Sequence, residues 1–188
     1  MSLSSLQAFR HCHLPQGRYI RLIKVHASAE PASDLVCDLD DADLDSKPEY
    51  EALSYAWEGQ SPSVPILCNT GSYQGSLLIT PNCAAALRQL RHESEQYTIW
   101  IDSICIDQTS IDERSIQVAL MGDIYKAAKG VVVWLGERDE HVLSAIELLR
   151  QISSLDTPMA SAENPAPENA KASRAAFLSN ARQLTKGI

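Results

Sequence analysis

The sequence predicts an α/β fold with parallel strands at its centre, and three observations carry that expectation. Thr98 to Ile106 is apolar and β-prone, interrupted by Asp102 and Cys105, and Val131 to Leu135 is a second short apolar run of the kind buried in a parallel sheet. Between them Ser110 and Glu113 stand at capping-box spacing, which starts a helix. Two strands joined by a helical crossover make a βαβ unit, normally right-handed. Upstream, Tyr50 to Trp57 (YEALSYAW) reads as another strong strand. Thr80-Pro81 then opens a helix, with Thr as N-cap and Pro at the first helical position.

The remaining elements follow in order. Residues 1–17 are a lead-in ending at the turn-like Leu14-Pro15-Gln16-Gly17, and Tyr19 to Val25 (YIRLIKV) reads as a strand. Asp34, Asp38, Asp40, Asp41, Asp43 and Asp45 make 27–48 an acidic stretch, in which Leu35 to Leu39 reads as a second strand. The central Gly and closing Glu of a calcium loop are not in it. Val64 to Cys68 and Ser76 to Thr80 bracket Asn69-Thr70-Gly71-Ser72, which gives a β-hairpin with a longer loop. In the helix after Pro81, Cys83, Ala84, Ala86, Leu87 and Leu90 form the apolar face. The helix after Ser110 has two neighbouring apolar rows: Ile116, Leu120, Ile124, Ala127 and Val118, Met121, Tyr125, Ala128. Burial on more than one side is therefore expected. A further helix is predicted from about Asp139 to Ser153, with Val142, Ala145, Ile146, Leu149 and Ile152 inward. Residues 154–170, rich in Pro, Ala, Ser, Asn and Glu, read as a linker, and Ala172 to Leu184 has helical character. The expected organisation is one domain over 1–153, then a linker and C-terminal helical segment over 154–188. The ending at Ile188 points to a piece of a longer polypeptide.

Composition narrows the function classes. A chain of 188 residues, 45% hydrophobic, can bury a sizeable core. Its net charge of -8 argues against a nucleic-acid backbone as partner. Arg88, Arg91 and His92 form a local basic group that reads as a solvated helix face. The five cysteines are odd in number and contain no C-x-x-C pair, so neither a disulfide framework nor a zinc site is indicated. His11 and His13 flank Cys12 in what reads as a mobile N-terminal segment rather than a metal site. No secretory signal is visible, and no apolar run reaches the ~20 residues of a membrane helix. A soluble, cytoplasmic protein with no membrane-spanning segment is expected. No G-x-G-x-x-G, phosphate loop or G-x-S-x-G elbow occurs, so no tightly bound cofactor is indicated.

Three segments, YEALSYAWEG, TPNCAAALRQLR and WIDSICIDQTSIDERSIQVALMGDIYKAAKGVVVWLGE, together resemble the fungal heterokaryon-incompatibility (HET) domain. The resemblance covers a signature portion of residues 50–137. It departs from the usual pattern at Glu58, which intervenes between Trp57 and Gly59, and at Asp107, where the family commonly has Asn. HET domains are similar to TIR domains, so the resemblance implies a TIR-like (flavodoxin-like) fold: a mainly parallel sheet flanked by helices, with the hairpin added. It also implies a cell-death signalling module that forms a homo-oligomer on activation, with other incompatibility or NLR-type proteins as partners. Two activities stand as alternatives, NAD glycohydrolase and non-enzymatic protein–protein interaction; in the first, NAD is a substrate. The position where many TIR enzymes carry their catalytic glutamate falls on Glu147.

In sheets of this type ligands bind outside the carboxyl ends of the strands. The residues expected there are Tyr55, Trp57 and Glu58 after the first core strand, Asp102, Asp107 and Gln108 around the second, and Gly136 and Glu137 after the third. Carboxylates can hydrogen-bond a ribose diol and aromatic rings can stack a base. Tyr55, Trp57, Asp102, Gln108 and Glu137 are accordingly the ligand-binding candidates. Cleavage of a nicotinamide–ribose bond passes through an oxocarbenium-like state that a carboxylate stabilises, which nominates Glu147 or, failing that, Glu58 or Asp107. The plainer reading of Glu147 is a solvated carboxylate on a polar helix face. Asp102, inside an apolar run, is either a structural hydrogen-bond hub or a functional group with an elevated pKa. Glu113 is assigned to capping, Arg114 to an acidic partner such as Asp112, and Cys105, Trp100 and Trp134 to the core.

Overall fold

A computed structural model of the chain describes residues 6–57, 59–71 and 73–137. Glu58, Glu147, the helix expected from Asp139, the linker and the C-terminal segment lie outside the described residues. Met1–Trp134 forms one compact unit and Leu135–Ile188 a second.

The first unit is built on a seven-stranded sheet. Its strands are β1 (Tyr19–Val25), β2 (Val36–Asp43), β3 (Glu51–Tyr55), β4 (Val64–Thr70), β5 (Tyr73–Ile79), β6 (Tyr97–Trp100) and β7 (Gly130–Trp134). Their order across the sheet is β5-β4-β2-β1-β6-β3-β7. The fold is α/β as expected, but the sheet is mixed rather than mainly parallel. Parallel pairing holds for β2–β4, β3–β6 and β3–β7, and antiparallel pairing for β1–β2, β1–β6 and β4–β5. The physical reason is β1, which enters the middle of the sheet running against β6 on one side and β2 on the other. With Ile20, Arg21, Leu22, Ile23 and Val25 all buried, β1 is covered on both faces, as a central strand must be.

Several local expectations are corrected. The run from Thr98 is a strand only to Trp100; a one-turn helix α2 (Asp102–Cys105) follows, with Cys105 N–H bonded to Ile101 O. The β4–β5 hairpin closes tightly, Thr70 facing Tyr73, instead of through a longer loop. Residues 7–11 are docked: Phe9 N–H donates to Ser76 O at 2.8 Å, and His11 Nε2 lies 2.8 Å from Ile104 O. Gly75 permits this approach, since a Cβ there would meet Phe9 Cα at 2.8 Å. Arg91 is no solvated side chain; its guanidinium donates to the carbonyls of Glu30, Pro31, Ser33 and Asp34 and ties down the β1–β2 connection. The acidic stretch resolves into alternation along β2, with Cys37 and Leu39 buried and Asp38 and Asp40 turned toward Asn69 and Lys24.

Two longer helices cover opposite faces of the sheet. Helix α1 (Pro81–Leu90) starts as its sequence predicts, with Thr80 Oγ1 accepting from Cys83 N–H at 3.2 Å. Ala52 and Trp100 are sheet neighbours, and Trp100 packs edge-on against Tyr125 of helix α3 (Ile111–Ala127). Tyr55 and Trp134 are also sheet neighbours; being odd-numbered from Ala52, Tyr55 points to the other face, where Trp134 Nε1 donates to Asn82 of α1 at 2.7 Å. Helix α3 is less buried than its pattern suggests. The stripe that packs is centred on buried Gln117 and Ile124, with Leu120, Met121, Tyr125 and Ala128 partly buried beside it, and each row loses its first member to solvent. Ile116 at 57% and Val118 at 59% exposure fall about 100° to either side of that stripe.

One buried ion pair fastens these layers. Arg21, 2% exposed, donates from Nη1 and Nη2 to the two oxygens of Glu113, and also to Cys105 O at 3.0 Å and to Cys12 O. Glu113 in turn accepts from Asp107 N–H at 2.7 Å, while its own N–H is capped by Ser110 Oγ. Only half of the expected capping box is present, because the Glu113 carboxylate turns to Arg21 and Asp107 instead of the Ser110 N–H. The cation it meets is Arg21; Arg114 makes no ion pair among the described residues. Burial alone would raise the Glu113 pKa, but the Arg21 hydrogen bonds, the Asp107 N–H and the Arg21 charge bring it below its ordinary value.

Removing one partner of this pair strands the other charge, so Arg21→Ala is expected to cost about 3–5 kcal/mol in urea unfolding. Because the folded-state pKa of Glu113 is depressed, its stabilisation is complete above its unfolded pKa of about 4.3 and is lost as pH falls through the lower folded value. An Arg21→Met, Glu113→Leu double variant should lack that component of the acid limb. Thr80→Ala should cost about 1 kcal/mol through the lost cap, measured the same way.

Candidate functional site at the carboxyl ends of the parallel strands

The parallel strands β6, β3 and β7 place their carboxyl ends together, with β3 in the middle. The chain leaves β3 for β6 on one side, then crosses back over β3 to reach β7 on the other. Right-handed crossovers in opposite directions put α1 and α3 on opposite faces, the arrangement in which a ligand crevice is expected at the carboxyl ends of the strands. Tyr55 ends β3, Trp100 ends β6 and Trp134 ends β7.

The polar groups beyond these ends converge on α2. Tyr55 Oη donates to Ser103 Oγ at 2.9 Å, and the Cys83 sulfur lies 3.9 Å from the same hydroxyl. Asp102 Oδ1 accepts from Ser103 N–H at 2.7 Å, and the Trp57 side chain is near enough to lower the pKa of its carboxyl. The Trp57 ring stacks on Tyr55 at 6.5 Å and 14°, and is 42% exposed. Behind this group Asn82 is a hub: its side-chain amide donates to Ala56 O at 2.7 Å, its N–H to Gln60 Oε1 at 2.9 Å, and its oxygen accepts from Trp134. A stacked aromatic pair with one half-buried carboxylate against it is the result.

Electrostatics separate the carboxylates. Burial raises the pKa of Asp102, opposed by the Ser103 N–H and the Trp57 side chain. Asp107 moves the other way. Burial would raise it, but the hydroxyl and N–H of Thr109 and the charges of His11 and Arg21 bring it down. Its side chain closes a local turn onto Thr109, at 2.7 Å to the hydroxyl and 2.9 Å to the N–H. Tyr55 is shifted up by burial. Cys83 is pushed to about 11 and Cys105 to about 12, both by burial first, which leaves neither a ready nucleophile.

Of the residues nominated from sequence, Tyr55, Trp57 and Asp102 are brought together. Gln108 stands beside them, its Nε2 donating to Asp102 O at 2.9 Å. Asp107 belongs with the Arg21–Glu113 pair by its N–H, Glu137 is exposed in the second unit, and Glu58 and Glu147 lie outside the described residues. Sequence reasoning missed Asn82, Ser103 and Trp134 as parts of this wall. The polar residues following Pro81 and Asp102 were the available signal for the first two.

A cavity of about 630 Å³ opens elsewhere, lined among others by Arg18, Asp45, Lys47, Asp123 and Lys129. It lies at the amino ends of β3 and β7. Its arginine is already held by Asp45 at 2.7 Å and Asp123 at 2.6 Å, and mixed charges face it, so it offers no directed chemistry. Among the described residues no cluster of three His, Cys, Asp or Glu is placed to hold a metal, and no helix is long and apolar enough to cross a membrane.

The strand order defines an α/β domain with a mixed sheet, whose parallel strands β6 and β7 flank β3 on its two sides. Residues 50–186 match the family described as heterokaryon incompatibility protein (HET), and the chain belongs to that family. It is also 39% identical over 127 residues to "Heterokaryon incompatibility protein 6, OR allele" of Neurospora crassa, a match covering 63% of this chain and 19% of that protein. The chain thus spans about a fifth of the length of that relative. No solved structure matches the chain.

Trp57→Phe removes a donor that holds the Asp102 pKa down, so the carboxyl titration followed by NMR should move upward. Asp102→Asn should raise stability at neutral pH. The sign follows from the raised folded-state pKa: the charge opposes folding above it, and that opposition disappears as pH falls through it. A higher urea midpoint for the Asn variant at neutral pH, converging with the parent in acid, is the expected result.

Proposed function

We propose that this chain is a fungal heterokaryon-incompatibility module that signals cell death by self-association and cleaves NAD at the carboxyl-end crevice. The observation that carries the reading is the half-buried Asp102 carboxylate lying against the stacked Tyr55–Trp57 pair. Aromatic faces suit a nicotinamide or adenine ring, and a carboxylate suits either a ribose diol or the positive charge that develops at the anomeric carbon. Family membership and the incompatibility-named relative support the biological role. Glu147 remains the carboxylate that resemblance to TIR enzymes nominates for the chemistry, with Asp102, Trp57 and Tyr55 holding the ribosyl and base parts. Self-association is supported by the apolar side chains that α3 leaves exposed, Ile111, Ile116 and Val118. Those same residues favour the second reading, a non-enzymatic interaction module.

The test is release of nicotinamide from NAD by purified protein, dilute and then concentrated or crowded. Turnover that rises with concentration is expected, falling at least about tenfold in Asp102→Asn through a lost charge-assisted contact. Glu147→Ala should abolish it. Absence of turnover in every oligomeric state would leave the interaction module.

A further inference from the structure

Cys37 and Cys68 stand opposite each other where β2 and β4 pair in parallel, and their sulfur atoms are 3.3 Å apart. Both are buried, at 3% and 0% exposure. Neighbouring strands run about 4.8 Å apart, inside the roughly 4.4–6.8 Å Cα separation that a disulfide spans. Residues in register on adjacent strands point to the same face, so closing the sulfurs to a bond of about 2.05 Å needs side-chain rotation rather than a shift of register. The other buried thiols are engaged elsewhere. Cys105 Sγ accepts from Ile101 N–H at 3.3 Å, and Cys83 lies against Ser103. Cys12 is exposed.

We propose that Cys37 and Cys68 form a modification site, a dithiol that hydrogen peroxide converts to an intramolecular disulfide. One sulfur attacks a peroxide oxygen; the O–O bond breaks, giving a sulfenic acid and one water. The second sulfur then attacks the sulfenic sulfur; the S–S bond forms, the S–O bond breaks, and the hydroxyl leaves as a second water with the remaining thiol proton. The two thiols lose two electrons and the peroxide gains them. The hydrogen bond that Cys37 donates to Cys68, and then burial, hold the Cys37 proton, so thiolate is scarce and the step is slow. The site therefore responds to sustained oxidant and ignores brief exposure. Only three residue pairs, Val36–Leu67, Cys37–Cys68 and Asp38–Asn69, join the β4–β5 hairpin to β2. A bond at the middle pair pins that junction.

The experiment treats the whole chain, without denaturant, with excess hydrogen peroxide; catalase stops the reaction at intervals, and free thiols are alkylated after unfolding and mapped by mass spectrometry. Cys12 should be modified first. A linked peptide pair carrying Cys37 and Cys68 should follow, lighter by two hydrogens than the separate peptides and separated again by dithiothreitol. The linked form should melt at a higher temperature and return to the reduced value on reduction. Alkylatable Cys37 and Cys68 after Cys12 is fully oxidised would overturn the proposal, as would linkage of either to Cys83 or Cys105. Cys37→Ser should leave Cys68 unlinked; if that variant fails to fold, the peptide map of the parent chain decides alone.

Discussion

The Arg21 guanidinium is the constraint on which the rest of the structure depends. It sits in the central strand, almost without solvent, and a cation there is tolerable only if every donor finds an acceptor. The acceptors come from three distant parts of the chain: Cys12 in the N-terminal segment, Cys105 at the end of α2 and Glu113 at the start of α3. Satisfying one residue thus fixes where the lead-in docks, where the strand β6 turns into α2, and the angle at which α3 begins. Asp107 is drawn into the same network through its N–H, and the loop between α2 and α3 has little freedom left.

That network is what positions the crevice without forming part of it. Helix α2 is one turn long and has no side-chain cap, so its place is set from its two ends. At its far end Cys105 O is held by Arg21; at its near end Asp102 and Ser103 present the carboxylate and hydroxyl that meet Trp57 and Tyr55. A short helix pinned on one side and functional on the other is a rigid way to aim two polar groups. The Asn82–Trp134 bond does the same for the opposite wall by linking the first crossover helix to the last strand of the unit.

Much of this was legible in the sequence, for identifiable reasons. Tyr19–Val25 matched its predicted span because its β-prone residues follow directly on the turn-like Leu14 to Gly17, and the Thr80-Pro81 signal located α1 because capping is a local interaction. The mixed pairing was not legible. Strand direction depends on where β1 inserts, which no short-range pattern encodes, and the TIR-like mapping left no place for an antiparallel strand at the centre. Arg21 was hidden inside YIRLIKV for the same reason: its partners are 84 and 92 residues away in sequence. Within the site, Tyr55 and Trp57 were found because the end of β3 was predictable, whereas Asp102 joins them because β6 stops at Trp100 and α2 follows, short of the strand expected to reach Ile106. Asn82 and Ser103 were not found, since their roles arise only when α1 and α2 meet across the sheet.

The short strand β6 carries a consequence for how the domain comes apart. It has four residues, and through them the two halves of the sheet are stitched: three residue pairs to β1 on one side, two to β3 on the other. On either flank pairing is longer, seven pairs between β1 and β2 and five between β3 and β7. Cooperative units follow the denser pairing. The β6–β3 junction is thus the shortest ladder in the sheet, and Asp102 and Ser103 follow directly on the strand that makes it.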